Sequence, residues 1–309
     1  MTPKTAKTTR TAVITGANTG LGLECARSLL ASDETWHVVL AVRDPARGAD
    51  AVAELAAPQR CTVLPLDLAS LRSVRAFGGR LREAGLPPLR AVVCNAGLQV
   101  PDGTRLTDDG VELTFGVNHL GHFALVQGFL AQLDRPARVV VVSSGTHDPA
   151  KFTGMPHPDY SSASELAHPR AEAEDTKVGR RRYTTSKLCN LLFAYELDRR
   201  LGQGADGVTV TAFDPGLMPG SGLARDYPSL QKFAWRYVFP VLRVLPNVNS
   251  TRTSGRRLAA LTGDPAFDGV TGAYFEGAKA IRSSPDSYDL AKARDLWETS
   301  EQLVNQVSA

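Results

Sequence analysis

Short apolar runs alternate with segments of helical periodicity along most of the chain. The apolar runs predict strands at 11–15, 36–42, 62–66, 89–94, 138–142, 208–213 and 271–275. The helical patterns lie at 21–30, 46–56, 69–83, 110–133 and 183–197. Because the strand runs are nearly continuous rather than alternating, both faces of the sheet are expected to be covered. The pattern predicts a single-domain α/β fold, a Rossmann-type doubly wound parallel sheet of about seven strands with helices on both faces.

One segment, 149–182, interrupts this alternation. It is rich in Pro, His, Ser and charged residues, and we interpret it as a surface insertion near the functional site, partly helical at 161–166. Since the alternation resumes after it, we expect one domain over 1–309. This domain begins with a flexible, polar N-terminus at 1–10.

A second segment, 217–249, carries aromatic residues among Leu and Val residues. They are Tyr227, Phe233, Trp235, Tyr237 and Phe239. Such residues can line an apolar pocket, so we interpret the segment as a substrate-binding lid. Packing helices and a shallow, peripheral contact with a membrane are the alternatives, because basic residues are interspersed with the aromatic ones.

Charge and cysteine content narrow the classes of partner. The 35 basic and 32 acidic residues give a net charge of +3 and form only small basic clusters, which does not favour nucleic acid. The cysteines are Cys25, Cys61, Cys94 and Cys189. Neither they nor His119 and His122 show the spacing of a metal site, and no disulfide scaffold is predicted. No apolar run reaches the roughly 20 residues that span a bilayer, so we expect a cytoplasmic protein without a transmembrane segment.

A glycine-rich turn follows the first predicted strand. Its sequence is Thr15-Gly16-Ala17-Asn18-Thr19-Gly20-Leu21-Gly22. The first glycine permits a tight turn, and the other two let the backbone approach a pyrophosphate and pack the helix against the sheet. The N–H groups at the start of that helix can bind the anion. The position between a strand and a helix favours a nucleotide site over a purely structural turn.

The end of the second predicted strand bears on the choice of nucleotide. Val42 occupies the position where an acidic side chain would bind the 2'-hydroxyl of NAD, and Arg43 follows it. An arginine there can pair with the 2'-phosphate of NADP. The sequence therefore favours NADP(H), with a surface ion pair between Arg43 and Asp44 as the alternative.

Tyr183 and Lys187 lie four residues apart in a helical pattern and therefore share one face. A nearby ammonium favours the phenolate and is expected to lower the pKa of the tyrosine from about 10. Such a tyrosine can act as a general acid. Taken alone, the pair is more often part of an amphipathic surface helix, so its meaning depends on the other motifs.

Seven short elements occur along the chain in a fixed order. They are Thr15-Gly16-x-x-x-Gly20-x-Gly22, Asp67-Leu68, Asn95-Ala96-Gly97, Asn118, Ser143-Ser144, Tyr183-x-x-x-Lys187 and Pro215-Gly216. In this order they resemble the short-chain dehydrogenase/reductase family, and the likeness runs from 11 to 304. Two longer motifs are Asn118-His119-Leu120-Gly121-His122-Phe123 and Ser186-Lys187-Leu188-Cys189-Asn190. With them the chain looks like the branch of retinol dehydrogenases and light-dependent protochlorophyllide reductases.

The resemblance implies roles for individual residues. Tyr183 would protonate a carbonyl oxygen that Ser144 orients, and Lys187 would hold the nicotinamide ribose. Asn118 would anchor a water relay that returns the proton. The cofactor would be bound by Thr15, Gly16, Asn18, Thr19, Gly20, Leu21, Gly22, Arg43, Asp67, Leu68, Asn95, Ala96, Gly97, Tyr183, Lys187, Pro215, Gly216, Leu217 and Ser221.

Two departures from the family concern the substrate and the assembly. Conventional members place the catalytic serine and tyrosine close in sequence, whereas 149–182 separates them here. This insertion is expected to form a rim over the site, or to block the helix pairing through which many relatives form tetramers, and the oligomeric state stays open. The chlorophyll-forming reductases are expected to carry a cysteine where this chain has Val42, although Cys189 matches their second one.

The leading hypothesis is an NADP(H)-dependent oxidoreductase that transfers hydride between nicotinamide C4 and the carbonyl or alcohol of a bulky apolar substrate. One alternative is a light-dependent, protochlorophyllide-type reductase of a double bond. Another is a non-enzymatic protein that senses NADP(H). The complete catalytic set argues against the sensor, because a binding protein has no need of a proton relay.

Overall fold

The computed structural model describes residues 9–101, 103–170, 175–218 and 249–306, and the strands in these ranges form one sheet. The strands are β1 (Arg10–Thr15), β2 (Trp36–Val42), β3 (Cys61–Pro65), β4 (Leu89–Cys94), β5 (Leu133–Val142), β6 (Val208–Asp214), β7 (Ala273–Glu276) and β8 (Lys279–Ile281). Their order is β3-β2-β1-β4-β5-β6-β7-β8. All pairs are parallel except β7 with β8. The predicted doubly wound parallel sheet is confirmed, with an antiparallel edge strand that the pattern did not predict.

Helices follow the strands on both faces. They are α1 (Gly20–Ser32), α2 (Pro45–Leu55), α3 (Leu71–Glu83), α4 (Leu113–Phe115), a π-helical turn (Gly116–Leu120), α5 (Gly121–Phe129), α6 (Ala163–Ala167), α7 (Thr176–Arg200), α8 (Thr251–Gly263) and α9 (Leu290–Gln306). Short 3-10 turns lie at Pro58–Arg60, Gly145–His147, Pro265–Phe267 and Pro285–Tyr288.

The sheet separates two apolar cores. Val13 of β1 belongs to the core under α3, α5, α7 and α9, which includes Phe77 and Phe129. The next residue, Ile14, belongs to the opposite core under α1, α2 and α8, with Leu29. Successive strand residues are therefore buried on opposite faces, which explains why the strand runs are apolar without alternation.

The helix predicted at 110–133 is wrong at both ends. Helical structure begins at Leu113 and ends at Phe129, and Leu133 already belongs to β5. The cause is that apolar residues continue the helical periodicity into the strand. β5 also begins before the predicted 138, because Leu133 pairs with Leu89 of β4 and the register then shifts.

The segment interpreted as an insertion is partly absorbed into the fold. α6 lies close to the predicted 161–166, and α7 begins at Thr176 rather than at Tyr183. Two hydrogen bonds tie α6 and the segment before it to α9, because Asp295 Oδ2 accepts from Tyr160 Oη (2.7 Å) and from Ala163 N (2.8 Å). This part of the insertion therefore packs on the body of the protein.

The C-terminal helix α9 covers α5 and α7. Trp297 of α9 packs edge-on against Phe123 of α5, with 5.0 Å between ring centres, and stacks on Phe193 of α7 at 6.2 Å. His119 Nε2 lies 2.9 Å from Ser300 Oγ of α9. The chain's own C-terminal helix thus occupies the outer side of this helix pair.

Candidate active site

The candidate site lies at the carboxyl ends of β1, β4, β5 and β6, where parallel α/β sheets bind their ligands. The glycine turn follows β1, the run 95–97 follows β4, Ser143 and Ser144 follow β5, and the turn 215–217 follows β6. Ser143 Oγ donates to Lys187 O (2.7 Å), which ties the end of β5 to α7. The fold thus brings the sequence-predicted elements to one edge of the sheet.

The glycine turn has little room for a side chain at Gly16 and none at Gly22. Gly16 has φ +66°, and a Cβ there would lie 3.2 Å from Ala96 Cα. A Cβ on Gly22 would lie 2.6 Å from Asn95 Nδ2 and 2.7 Å from Gly16 O. Gly20 also has positive φ, at +58°, where side chains are disfavoured. These glycines let the turn lie directly against the loop that follows β4.

The start of α1 offers backbone donors for an anion. Its N-cap residue, Thr19, makes no side-chain capping bond and is exposed, so the first N–H groups of the helix are not satisfied by it. Asn18 beside it is half-buried, whereas Leu21 is buried and can meet a cofactor only through its backbone. Uncapped N–H groups next to a close-packed glycine turn fit the pyrophosphate of a dinucleotide.

Thr15 holds the turns after β1 and β4 together. Its Oγ1 accepts from the backbone N–H groups of Asn95 and Ala96, both at 2.9 Å. Asn95 Nδ2 in turn donates to Thr15 O (2.7 Å). The hydroxyl can then donate to His122 Nε2, 2.9 Å away. Thr15, Asn95 and Ala96 therefore shape the cofactor side of the site through neutral hydrogen bonds.

His122 is a residue that the sequence reasoning considered only as a metal ligand. Its Nδ1 donates to Asn118 O (3.1 Å), which leaves Nε2 as the acceptor toward Thr15. Burial lowers the pKa of His122 to about 4, and the nearby Lys187 charge adds to this effect. A neutral imidazole thus bridges the glycine turn and the π-helical turn. The motif His119-Leu120-Gly121-His122 carries no signal for this bridge without the fold.

Arg43 is exposed just beyond β2. The alternative ion pair with Asp44 is not formed, because the Asp44 carboxylate caps α2 at Ala46 N (3.0 Å) and Arg47 N (3.3 Å) and pairs with Arg47 Nε (3.5 Å). Within the ranges that the structure describes, no acidic side chain pairs with Arg43. Its guanidinium is therefore available to a phosphate, and the neighbouring Val42 is buried.

Asp67 and Leu68 follow β3. Asp67 is half-buried, and its Oδ1 accepts from Ala69 N (2.9 Å). Leu68 is buried beside Gly121 of α5, where a Cβ on the glycine would lie 2.6 Å from Leu68 O. Asp67 can still present its other oxygen to a ligand, whereas the Leu68 side chain serves packing.

Asn118 lies in the π-helical turn and is fully buried. Its Oδ1 accepts from Leu98 N (2.8 Å), and its Nδ2 donates to Leu98 O (2.9 Å) and to Ser186 Oγ (3.0 Å). Both amide hydrogens are thus used, so the side chain joins the loop after β4 to α7. A Cβ on Gly97 would lie 3.3 Å from Asn118 Oδ1. The water relay at Asn118 stays a prediction.

Tyr183 and Lys187 lie one turn apart on α7, and both are buried. Lys187 Nζ is 5.5 Å from the centre of the Tyr183 ring and donates to Val142 O (3.4 Å) at the end of β5. Burial lowers the pKa of Lys187 to about 8, and the charge of Asp214 acts in the opposite direction. The lysine therefore keeps its proton at neutral pH, next to the phenol ring.

Ser143, Ser144 and His147 lie together after β5 and make different contacts. Ser143 is buried and bonded to α7, whereas Ser144 is half-buried and its Oγ accepts only a long bond (3.4 Å) from Thr146 N. His147 Nδ1 donates to Ser144 O (2.6 Å), and its Nε2 accepts from Ser284 N (3.2 Å). The Ser144 hydroxyl is the more available of the two serines for a ligand.

The turn after β6 is closed by its own side chains. Gly216 has φ +76°, and its N–H donates to Asp214 Oδ1 (2.9 Å). Leu217 is 43% exposed, and its carbonyl accepts from Asn249 N (2.9 Å). Asn249 Nδ2 also donates to Pro215 O (3.1 Å). Residues 217 and 249 are therefore joined, while Ser221 and most of the predicted lid lie outside the described residues.

Two negative findings concern the described ranges alone. No group of three His, Cys, Asp or Glu side chains there could hold a metal ion. Among the helices described, none combines the length and apolarity that crossing a membrane requires.

A sequence profile described as short chain dehydrogenase matches residues 10–163. Among curated proteins, the WW domain-containing oxidoreductase of Danio rerio is 36% identical over an alignment of 301 positions, and the match covers 96% of this chain and 68% of that protein. The protochlorophyllide reductase of Avena sativa is 36% identical over an alignment of 318 positions, and the match covers 94% of this chain and 98% of that protein. Both likenesses extend well beyond the profile match, through the Tyr183 helix to the C-terminal part of the chain.

Solved structures agree with the fold. An uncharacterised protein of Mycobacterium Paratuberculosis is 31% identical and has a TM-score of 0.67, covering 96% of this chain and 94% of its own. The active-site complex of Pseudomonas aeruginosa RhlG with NADP is 21% identical with a TM-score of 0.66, covering 89% and 97%. At that identity the second likeness supports the architecture alone.

Proposed function

Because the chain belongs to the short-chain dehydrogenase/reductase family of oxidoreductases, we propose that it reduces a carbonyl group of a bulky apolar substrate with NADPH, or oxidises the corresponding alcohol. The observation that carries the proposal is the buried Lys187 ammonium 5.5 Å from the Tyr183 ring. A buried cation beside a phenol favours proton release from the hydroxyl. Tyr183 is therefore assigned as the general acid for reduction and as the base for the reverse reaction.

Each residue around the pair has a task in this proposal. Bound NADPH would supply the hydride. Ser144 donates a hydrogen bond to the carbonyl oxygen and orients it toward Tyr183, which gives it a proton. Lys187 favours the resulting phenolate and binds the nicotinamide ribose. Asn118 keeps the loop after β4 in contact with α7, so that the cofactor and the proton donor keep their relative positions.

Preference for NADP(H) over NAD(H) rests on the end of β2. Arg43 is exposed and Asp44 is engaged by Arg47 and by the cap of α2, so the cation at this position is not neutralised. An arginine binds a phosphate through charge-assisted bonds, and buried Val42 offers nothing to a 2'-hydroxyl. The pattern supports assignment of Arg43 to the 2'-phosphate.

The decisive experiment replaces Tyr183 by Phe. NADPH oxidation would be followed against ketones and aldehydes graded by size, and cofactor binding by NADPH fluorescence. We expect turnover to fall by about 100-fold or more, because the general acid is lost, with the affinity for NADPH nearly unchanged. Tyr195→Phe on the same helix removes a hydroxyl that bonds Ser283 Oγ (2.7 Å) and serves as the matched control with normal turnover. Full activity of the Tyr183 variant would contradict the mechanism.

A second candidate is light-dependent reduction of a protochlorophyllide-type double bond. It is favoured by the 36% identity to the protochlorophyllide reductase of Avena sativa over 94% of this chain. Against it, Cys189 is fully buried, and burial raises the pKa of its thiol. Illumination with NADPH and protochlorophyllide separates the candidates, since product formed only in light would replace the carbonyl proposal. NADPH binding without turnover in either assay would favour the sensor.

A further inference from the structure

Asp214, the last residue of β6, is a buried acid that none of the family motifs includes. Its Oδ1 accepts from Gly216 N (2.9 Å), and its Oδ2 accepts from Tyr274 Oη of β7 (3.2 Å). A Cβ on Gly145, directly after Ser144, would lie 2.9 Å from the same Oδ2. The carboxylate therefore lies between the turn that follows β6 and the turn that carries Ser144.

Strand register places Asp214 next to the end of β5 that Lys187 contacts. Phe213 of β6 pairs with Val142 of β5, whose carbonyl accepts from Lys187 Nζ (3.4 Å). Asp214 follows Phe213 at the same end of the sheet. In the described part of the chain no Lys or Arg forms a direct ion pair with Asp214, and the bonds it accepts come from neutral groups. Burial raises the pKa of Asp214, while the bond from Gly216 N and the Lys151 charge favour the carboxylate form.

We propose that Asp214 is a positioning residue of this site, with two tasks. Its carboxylate is the counter-charge that keeps the Lys187 ammonium protonated beside Tyr183. Its bond to Gly216 N fixes the shape of the turn 215–217, which the family resemblance assigns to the cofactor. The inference deepens the proposed function, and its expected effect on turnover rests on that function. The charge interaction between Asp214 and Lys187 does not, because it needs neither cofactor nor substrate.

The other titratable groups near this pair are few. Lys187 faces His122 of α5, which is neutral, and Tyr183 of its own helix. Asp214 faces Tyr274 and Glu276 of β7, together with His147 and Lys151 from the loop after β5. Lys151 and Glu276 are ion-paired with each other, so their charges largely cancel at Asp214.

The sign of the effect follows from these charges. Burial lowers the pKa of Lys187 to about 8, and Asp214 raises it against that trend. Removing the Asp214 charge must therefore lower the pKa of Lys187 further, so that the lysine loses its proton at a lower pH. Below neutral pH Lys187 is protonated with or without Asp214, so the change is confined to the alkaline side.

The test uses Asp214→Asn in the full-length protein. Asparagine keeps an oxygen acceptor for Gly216 N and an amide that can donate to Tyr274 Oη, so the variant removes charge with little change of shape. Proteins with ¹³C-labelled lysine would be titrated by NMR, with the Lys187 signal identified by its loss in Lys187→Met. The pH profile of kcat/KM with NADPH and an accepted carbonyl would be measured in parallel. The matched control is Asp198→Asn, which removes a buried carboxylate that accepts from Thr271 Oγ1 near the far end of α7.

We expect the Lys187 titration and the alkaline limb of kcat/KM to move down by about one pH unit in Asp214→Asn. Neither should move in Asp198→Asn. An unchanged Lys187 titration in Asp214→Asn overturns the inference, whatever the turnover. A shifted Lys187 titration in a protein that reduces no carbonyl leaves the charge coupling intact and refutes the proposed function instead.

Discussion

The two sides of the candidate site are built from different interactions. The cofactor side, around the glycine turn, is held by backbone geometry and by neutral bonds through Thr15, Asn95 and His122. The catalytic side, around the ends of β5 and β6, contains the buried ionisable side chains of Lys187 and Asp214. The first side should therefore respond to added volume and lost hydrogen bonds, and the second to lost charge and to pH.

The largest effect on the cofactor side is expected from Gly22→Ala. The added methyl group would lie within 2.7 Å of both Asn95 Nδ2 and Gly16 O, so the turn must open. We expect NADPH to bind about 100-fold more weakly, which corresponds to an overpacking cost of about 3 kcal/mol. Fluorescence titration measures this. Gly128→Ala in α5, where a Cβ has no neighbour within 4 Å, is the control with unchanged affinity. Normal binding by the Gly22 variant would show that the turn adapts to volume.

A smaller effect is expected from Arg43→Gln, which tests the exposed cation of the cofactor side. Loss of a charge-assisted bond to the 2'-phosphate should weaken NADPH binding by about 10-fold and leave NADH binding unchanged. Competition titrations with both nucleotides check the prediction. Arg47→Gln is the neighbouring control, because Arg47 already pairs with Asp44. An equal loss for both nucleotides would remove Arg43 from the phosphate site.

The smallest effect is expected from Thr15→Val, a change that keeps the shape and removes the hydroxyl. Two backbone N–H groups would lose their acceptor, so we expect a loss of about 1–2 kcal/mol in the free energy of unfolding and a several-fold weaker NADPH affinity. Thr11→Val lies at the other end of the same strand, where Thr11 Oγ1 donates to Pro87 O (2.7 Å). Urea unfolding should register both variants, whereas NADPH titration should register Thr15→Val alone.

The sequence pattern located the sheet better than the helices. The predicted strands 36–42 and 89–94 match β2 and β4 to the residue, because each apolar run ends at polar or turn residues on both sides. The helix predicted at 110–133 failed because Val126, Phe129, Leu130 and Leu133 keep a helical spacing across the point where the chain changes from helix to strand. A periodicity is a local signal, and the partner strand β4 decides where β5 begins.

Prediction of the site residues from sequence has the same limit. Motif order located the glycine turn and the Tyr183 helix, because each is a short run with fixed spacing. Asp214 was missed, since in sequence it is a single acid before a proline, and its partner Tyr274 comes from a distant strand. The role of His122 as a neutral bridge was missed for the same reason. Long-range partners of a single polar residue are set by the sheet order, which a motif does not contain.

The bond between Leu217 O and Asn249 N has a consequence for how far the chain length between these residues can change. Both ends of the intervening stretch are fixed at one point, and Asn249 is anchored again at Pro215 O and by Arg257 Nη1 (3.0 Å). Loop closure depends only weakly on the number of residues between two joined ends. A change in the number of residues between Leu217 and Asn249 is therefore expected to leave this junction in place.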